Sequence, residues 1–262
     1  MRLKNIFLHS LFSAILVYSS ASFAHAQIDY IWPISDSEKY GKFINSSFAE
    51  YRPDRFHAGI DIKTIWRDGH RVIAIDDGFL YRMRISPFGY GRSIYIRLKD
   101  GNIAVYGHLR LFGKKFQAIA EDEQVKLNKY SVDLWFGQNE IPVIKGEVLG
   151  ITGRSGTRLQ HLHFELRDSN NNPINPLANG LSDKDDSAPR PTKISIRPLN
   201  IDSYVENDWT PEILPLNNGR DGVFTLSKPV KVWGDIGLSI ESYDRNGTYE
   251  NNFSIYSLKL LV

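Results

Sequence analysis

The stretch His161-Leu162-His163-Phe164-Glu165-Leu166-Arg167 alternates polar and apolar residues without a break. A β-strand gives every second side chain the same face, so Leu162, Phe164 and Leu166 are expected in a core while His161, His163 and Glu165 project from the other side. On an α-helix, positions two apart point about 200° away from each other, and the two imidazoles could not meet at one ion. Period-two runs recur at 78–85 and 93–98, punctuated by turn signals at Asp76-Asp77-Gly78, at Lys99-Asp100-Gly101-Asn102 and across 153–156. The expectation is an all-β, antiparallel fold. The polar segment from Lys114 to Asn139 differs, with a loose helical spacing of Phe116, Ile119 and Val125, and reads as an inserted loop or short helix that could wall or occlude a groove.

Composition narrows the function. The 262 residues carry 32 Lys plus Arg against 30 Asp plus Glu. A net charge of +2 does not supply the basic face of a dedicated nucleic-acid binder. With no cysteine, the chain has no disulfide, thiol nucleophile, thiolate zinc ligand or iron–sulfur cluster, so a metal must be held by His and carboxylates.

Residues 1–26 read as a secretory signal: Arg2 and Lys4 open it, an apolar run follows, and Ala24-His25-Ala26 is a small-x-small cleavage site. The run is shorter than the roughly 20 apolar residues of a membrane span. No membrane anchor is expected after cleavage, and the mature chain, from Gln27, is expected in the periplasm or extracellular envelope of a bacterium. Arg2 and Lys4 are the only charges of that segment, so the mature chain has 32 − 2 = 30 basic against 30 acidic residues and no formal charge. Residues 27–182 are expected to form the main domain, with its core at 56–176. The charged, Pro-containing stretch 183–191 reads as a linker. Residues 192–262 read as the short strands of a small β-sandwich-like (Ig-like) domain, expected to be incomplete because Leu260-Leu261-Val262 ends inside an apolar run.

Of the seven His, two lie in the signal and His70 sits in a polar turn, where a solvated role is expected. The other four occur as His57-Ala58-Gly59-Ile60-Asp61, Tyr106-Gly107-His108-Leu109 and the His161–Arg167 run. A straight strand would hold His57 and Asp61 roughly 13 Å apart, and Gly59 between them permits the bend that brings them together. Two imidazoles and one carboxylate make a zinc set that leaves a coordination position open, as catalytic rather than structural sites do. Two further His remain over. Amide hydrolysis needs such a surplus, because water must lose a proton and the leaving amine must gain one.

These motifs, in this order, resemble the lysostaphin-type (LytM-like) zinc endopeptidases, whose signature is His-x-x-x-Asp, then Tyr-x-His-Leu, then His-Leu-His-Phe-Glu; the match covers about 56–176. The resemblance implies a small antiparallel β domain with a groove, one Zn2+ per chain on His57, Asp61 and His163, and a catalytic pair, His108 and His161. It also implies the peptide part of peptidoglycan as partner and substrate. Leu159-Gln160 departs from the Gly or Pro common before His-Leu-His in the family, and the 114–139 insertion stands where many relatives have a short connection. A catalytically inactive regulator or binding module for cell-wall hydrolases, on the same fold, is the alternative; degenerate relatives of that kind lose ligands, and this chain keeps the full set.

Overall fold

The computed structural model describes residues 29–35, 42–64, 69–181, 187–245 and 251–261. The expected signal segment and residues 183–186 of the expected linker lie outside them. Among the described residues no helix is long and apolar enough to cross a membrane.

Eleven strands form one antiparallel sheet. Seven of them follow one path: β1 (Ile44–Ser46), β4 (Ile60–Ile62), β12 (Leu162–Arg167), β8 (Ile103–Phe112), β7 (Arg92–Leu98), β6 (Gly78–Ile85) and β10 (Pro142–Val143). The other four join from the side: β5 (Arg71–Ile73) pairs with β11 (Val148–Thr152), which also pairs with β8, while β9 (Val132–Trp135) pairs with β6 and β13 (Pro173–Ile174) with β12. A two-stranded ladder of β2 (Tyr51–Arg52) and β3 (Arg55–Phe56) stands apart from this sheet. The all-β antiparallel expectation is therefore met.

The alternation read in the sequence sorts side chains as expected. Leu162, Phe164 and Leu166 are fully buried in the core with Ile60, Ile96 and Tyr106. The Tyr106 ring meets Phe164 edge-on, and its hydroxyl accepts a hydrogen bond from the Ile75 amide at 3.1 Å, which satisfies the one polar atom that tyrosine brings into the core. Tyr30, Trp32 and Ile34, ahead of β1, close one side of that core.

The inserted segment holds helix α1, Lys114–Leu127, followed by β9. Good helix formers fill it, Asn128 ends it in the left-handed conformation, and Lys126 in the last turn pairs with Asp122 and Glu123. Its buried stripe is Phe116 and Ala120, one turn apart; Val125, expected on that stripe, is 80% exposed.

After the expected linker, β14 (Arg190–Pro198) lies between β16 (Glu212–Pro215) and β20 (Ile236–Tyr243) in a three-stranded antiparallel sheet. Beside it run the ladders of β15 (Tyr204–Val205) with β19 (Val232–Trp233) and of β17 (Asn217–Asn218) with β18 (Phe224–Thr225). Few of these residues are buried; Ile196 and Val205 are.

His70 departs from its expected place in solvent. It is buried, its amide donates to Thr152 Oγ1 at 3.1 Å and its Nε2 lies 3.1 Å from the Thr64 carbonyl. Docking of the turn against β11 carries this histidine inward, and the local sequence does not encode that docking.

Candidate metal centre

Register places the first two residues of the site. His163 on β12 stands directly opposite Asp61 on β4 and Gly107 on β8. His57 reaches the same point because the chain bends at Gly59 before β4 begins. The bend has a second requirement: a Cβ on Gly59 would lie 2.1 Å from the Phe164 carbonyl oxygen, so only glycine lets this segment approach β12 so closely.

His108 arrives by a different device. Tyr106 pairs with Ile94 and Leu109 with Arg92, so Gly107 and His108 together oppose the single residue Ser93. This β-bulge puts His108 at φ +60°, a left-handed conformation rarely adopted by a residue with a Cβ, and turns its ring toward β12. The His108 ring lies 4.7 Å from that of His161 and 5.7 Å from that of His163, centre to centre. All five residues singled out in the sequence therefore meet in one place.

The hydrogen bonds fix which ring nitrogen of each histidine is available. A carbonyl or carboxylate oxygen only accepts, so a ring nitrogen bonded to one must carry the hydrogen. His57 Nδ1 donates to the Ser47 carbonyl at 2.8 Å, His108 Nδ1 to Ser155 O at 2.8 Å and His161 Nδ1 to Leu159 O at 3.0 Å. His163 is turned the other way, its Nε2 donating to Glu165 Oε1 at 2.8 Å. The remaining donor atoms converge. His57 Nε2, His163 Nδ1 and Asp61 Oδ1 form a triangle with edges of 3.1, 2.8 and 3.1 Å.

Three lone pairs at such distances repel unless a cation lies among them, a proton or a metal ion. Tetrahedral zinc with bonds near 2.1 Å would separate its ligands by about 3.4 Å. The triangle fits such an ion with movements of a few tenths of an ångström. No other group of His and carboxylate donors among the described residues has this form.

The surroundings hold these donors in place. Asp61 Oδ2 accepts from Arg52 Nη2 at 2.9 Å, which leaves Oδ1 as its single inward oxygen. Glu165 has no exposed surface; His163, the Tyr90 hydroxyl and Arg167 all donate to its carboxylate. Tyr90 also stacks on the His163 ring at 4.9 Å. The sequence placed Glu165 on the same strand face as His163, a legible signal of partnership. Arg52 and Tyr90 had no such signal, since only the fold brings them near.

Protonation follows from this arrangement. Burial opposes charge on Asp61, yet the His163 hydrogen bond and the imidazoles of His57 and His161 beside it hold its carboxyl far below the usual carboxylate range. Burial also disfavours charge on His163, but Asp61 and Glu165 overcome it and raise the imidazole to about 9. In the metal-free protein a proton on His163 thus occupies the place of the cation. Desolvation drives His108 down to about 4 and lowers His161 too, against the pull of Asp61, so both are neutral bases at neutral pH.

A cavity of about 540 Å³ opens beside the centre, with Asp61 and His161 in its wall. No residue of the 114–139 segment lines it. Within that segment, the ring of Tyr130 lies 6.0 Å from the guanidinium of Arg92.

No family model matches the chain, and no curated protein does. Among solved structures the chain is similar to Helicobacter pylori Csd3, at 27% identity over 60% of this chain and 34% of that one, with a TM-score of 0.41. It is similar to the catalytic domain of the antimicrobial peptidase lysostaphin from Staphylococcus simulans, at 20% identity over 55% of this chain and 96% of that one, TM-score 0.40. A zinc containing peptidase from Vibrio cholerae is similar at 22% identity over 58% and 39%, TM-score 0.38. The chain thus spans about a third of the length of the Csd3 structure. Two of these three neighbours, lysostaphin and the Vibrio cholerae protein, are described as peptidases. The likeness is partial, and the chemistry rests on the side chains described above.

Proposed function

We propose that this protein is an exported zinc metalloendopeptidase that hydrolyses peptide bonds in the cross-links of bacterial peptidoglycan. The observation that carries this reading is the convergence of His57 Nε2, His163 Nδ1 and Asp61 Oδ1 on one point, with two further neutral imidazoles beside it. Zinc held there by His57, Asp61 and His163 would supply Lewis acidity, lowering the pKa of water toward about 7 and polarising a peptide carbonyl.

The chain's own residues do the rest. His57, Asp61 and His163 bind; Arg52 and Glu165 orient two of them, and the Ser47 carbonyl orients the third. His161 Nε2 stands 3.5 Å from Asp61 Oδ1 with its lone pair toward the centre, placed to take a proton from the attacking water. His108, neutral and anchored to Ser155 O, completes the pair that returns a proton to the leaving amine and meets charge developing on the carbonyl oxygen. A strained backbone at His108 is the kind of cost a fold retains where a side chain must be aimed.

The test is to incubate the zinc-loaded protein with purified peptidoglycan, with and without chelator, beside His163→Ala and His161→Ala, and to weigh the released fragments by mass spectrometry. Fragments from wild type alone, abolished by chelator, support the reading. A wild type that carries zinc yet releases nothing beyond what His161→Ala releases overturns it in favour of a regulator.

A further inference from the structure

The cavity beside the metal centre has a cationic wall. Besides Asp61 and His161 it is lined by Lys63, just after β4, and by Arg154 and Arg158 from the connection between β11 and β12. Its one carboxylate, Asp61, is already engaged by Arg52 and by the imidazoles. Among the described residues neither Arg154 nor Arg158 forms an ion pair.

The two arginines rise from a fixed base. Thr157 N donates to Arg154 O at 3.2 Å, closing a turn that sets Arg154 and Arg158 on one short segment. Ser155 anchors that segment by accepting from His108 Nδ1 on its carbonyl and from the Arg92 amide on its hydroxyl. Gly91 and Gly156 meet so closely that a Cβ on Gly91 would lie 2.2 Å from Ser155 O, and one on Gly156 would lie 2.4 Å from Gly89 O. The loop that carries the two arginines is therefore tied to the same bulge that aims His108.

Arg154 and Arg158 are like charges lining one cavity and repel each other, and an anion between them relieves that repulsion. Guanidinium groups match planar carboxylates in shape and charge. Because His161 belongs both to this wall and to the proton-transfer pair, whatever fills the cavity lies next to the bond being cut.

We propose that this cavity is a carboxylate-recognition subsite, formed by Arg154 and Arg158, and that it selects substrate peptides carrying a free carboxylate adjacent to the scissile bond. This inference rests on the peptidase reading of the metal centre for its placement of that bond. A peptide can offer such a carboxylate from its C-terminus or from an acidic side chain.

The test uses three short peptides of otherwise identical sequence: one with a free C-terminal carboxylate, one amidated at the C-terminus but bearing a single side-chain carboxylate, and one with neither. Each is titrated calorimetrically into full-length protein stripped of metal, so that no carboxylate binds zinc directly, and each is then offered to the zinc-loaded protein for cleavage. We expect at least one carboxylate peptide to bind roughly tenfold tighter than the neutral one, the size of one charge-assisted contact, and the peptide that does so identifies the source. The variant Arg154→Gln/Arg158→Gln loses the difference, Arg154→Lys/Arg158→Lys keeps part of it, and unchanged zinc uptake by both shows that the fold survives. Equal binding of all three peptides, no binding at all, or a preference that persists in the Gln variant overturns the proposal. A carboxylate preference in calorimetry without any cleavage by the zinc-loaded protein overturns the peptidase reading instead and leaves the anion subsite standing.

Discussion

The strands β12 and β14 are alike in having a partner strand on either side, and both alternate apolar and polar residues. Five of the six residues of β12 are buried, whereas Ile196 alone of the nine in β14 is. The difference lies in what covers each face. Over one face of β12 sits the core of Phe164 and Tyr106; over the other sit His57, Asp61 and Tyr90, which bury His163 and Glu165 among polar partners. In the C-terminal three-stranded sheet the outward residues stay open, and Ile213 and Leu238 are 65% and 50% exposed. Alternation states which side chains share a face. It does not state what lies over that face, and a buried polar face exists only where every group finds a partner.

That contrast can be broken at several points. His163→Ala removes a donor that both neighbours need, and zinc-dependent cleavage should fall by at least about a thousandfold, with loss of zinc by elemental analysis. Retained zinc in that variant would mean that β12 does not carry the centre. On the apolar face, Phe164→Ala should cost about 3–5 kcal/mol in urea unfolding. In β14, Ile196→Ala should cost roughly 1 kcal/mol, since only one face is covered there; equal losses would erase the comparison. Glu165→Gln keeps the shape but not the charge opposite His163, and zinc affinity should drop about 10–100-fold in a competition titration. Its counterpart Ser195→Ala in β14 should change stability by no more than about 0.5 kcal/mol.

The smallest effect concerns pH. His163 is raised from its ordinary value to about 9 in the metal-free fold, so its contribution to stability is full below the unfolded value near 6.5 and disappears as pH rises to about 9. Metal-free protein should therefore lose thermal stability across that window. Zinc must displace the same proton, so its apparent affinity should rise there by up to about tenfold per pH unit. A flat profile for both would show that no proton stands in for the metal.

Much of this centre was legible before the fold was known. The two-residue spacing of His161 and His163 required a strand, and the absence of cysteine limited the ligands to the residues that now meet. The helix in the 114–139 segment was half legible: its formers were present, but its buried stripe depends on β8 and β9 and passed to Ala120 instead of Val125. What stayed hidden came from contacts distant in sequence. The bulge at His108 exists only as a mismatch between β7 and β8, Arg52 meets Asp61 from a separate ladder, and His70 is buried by Thr152 and Thr64.

The central claim is that three lone pairs converge to hold one cation. Anomalous diffraction at the zinc edge from crystals of the zinc-loaded protein tests it most directly. The account predicts a single strong peak about 2.1 Å from each of His57 Nε2, Asp61 Oδ1 and His163 Nδ1, with His163 Nε2 still bonded to Glu165. A peak elsewhere, or coordination through His163 Nε2, would contradict it.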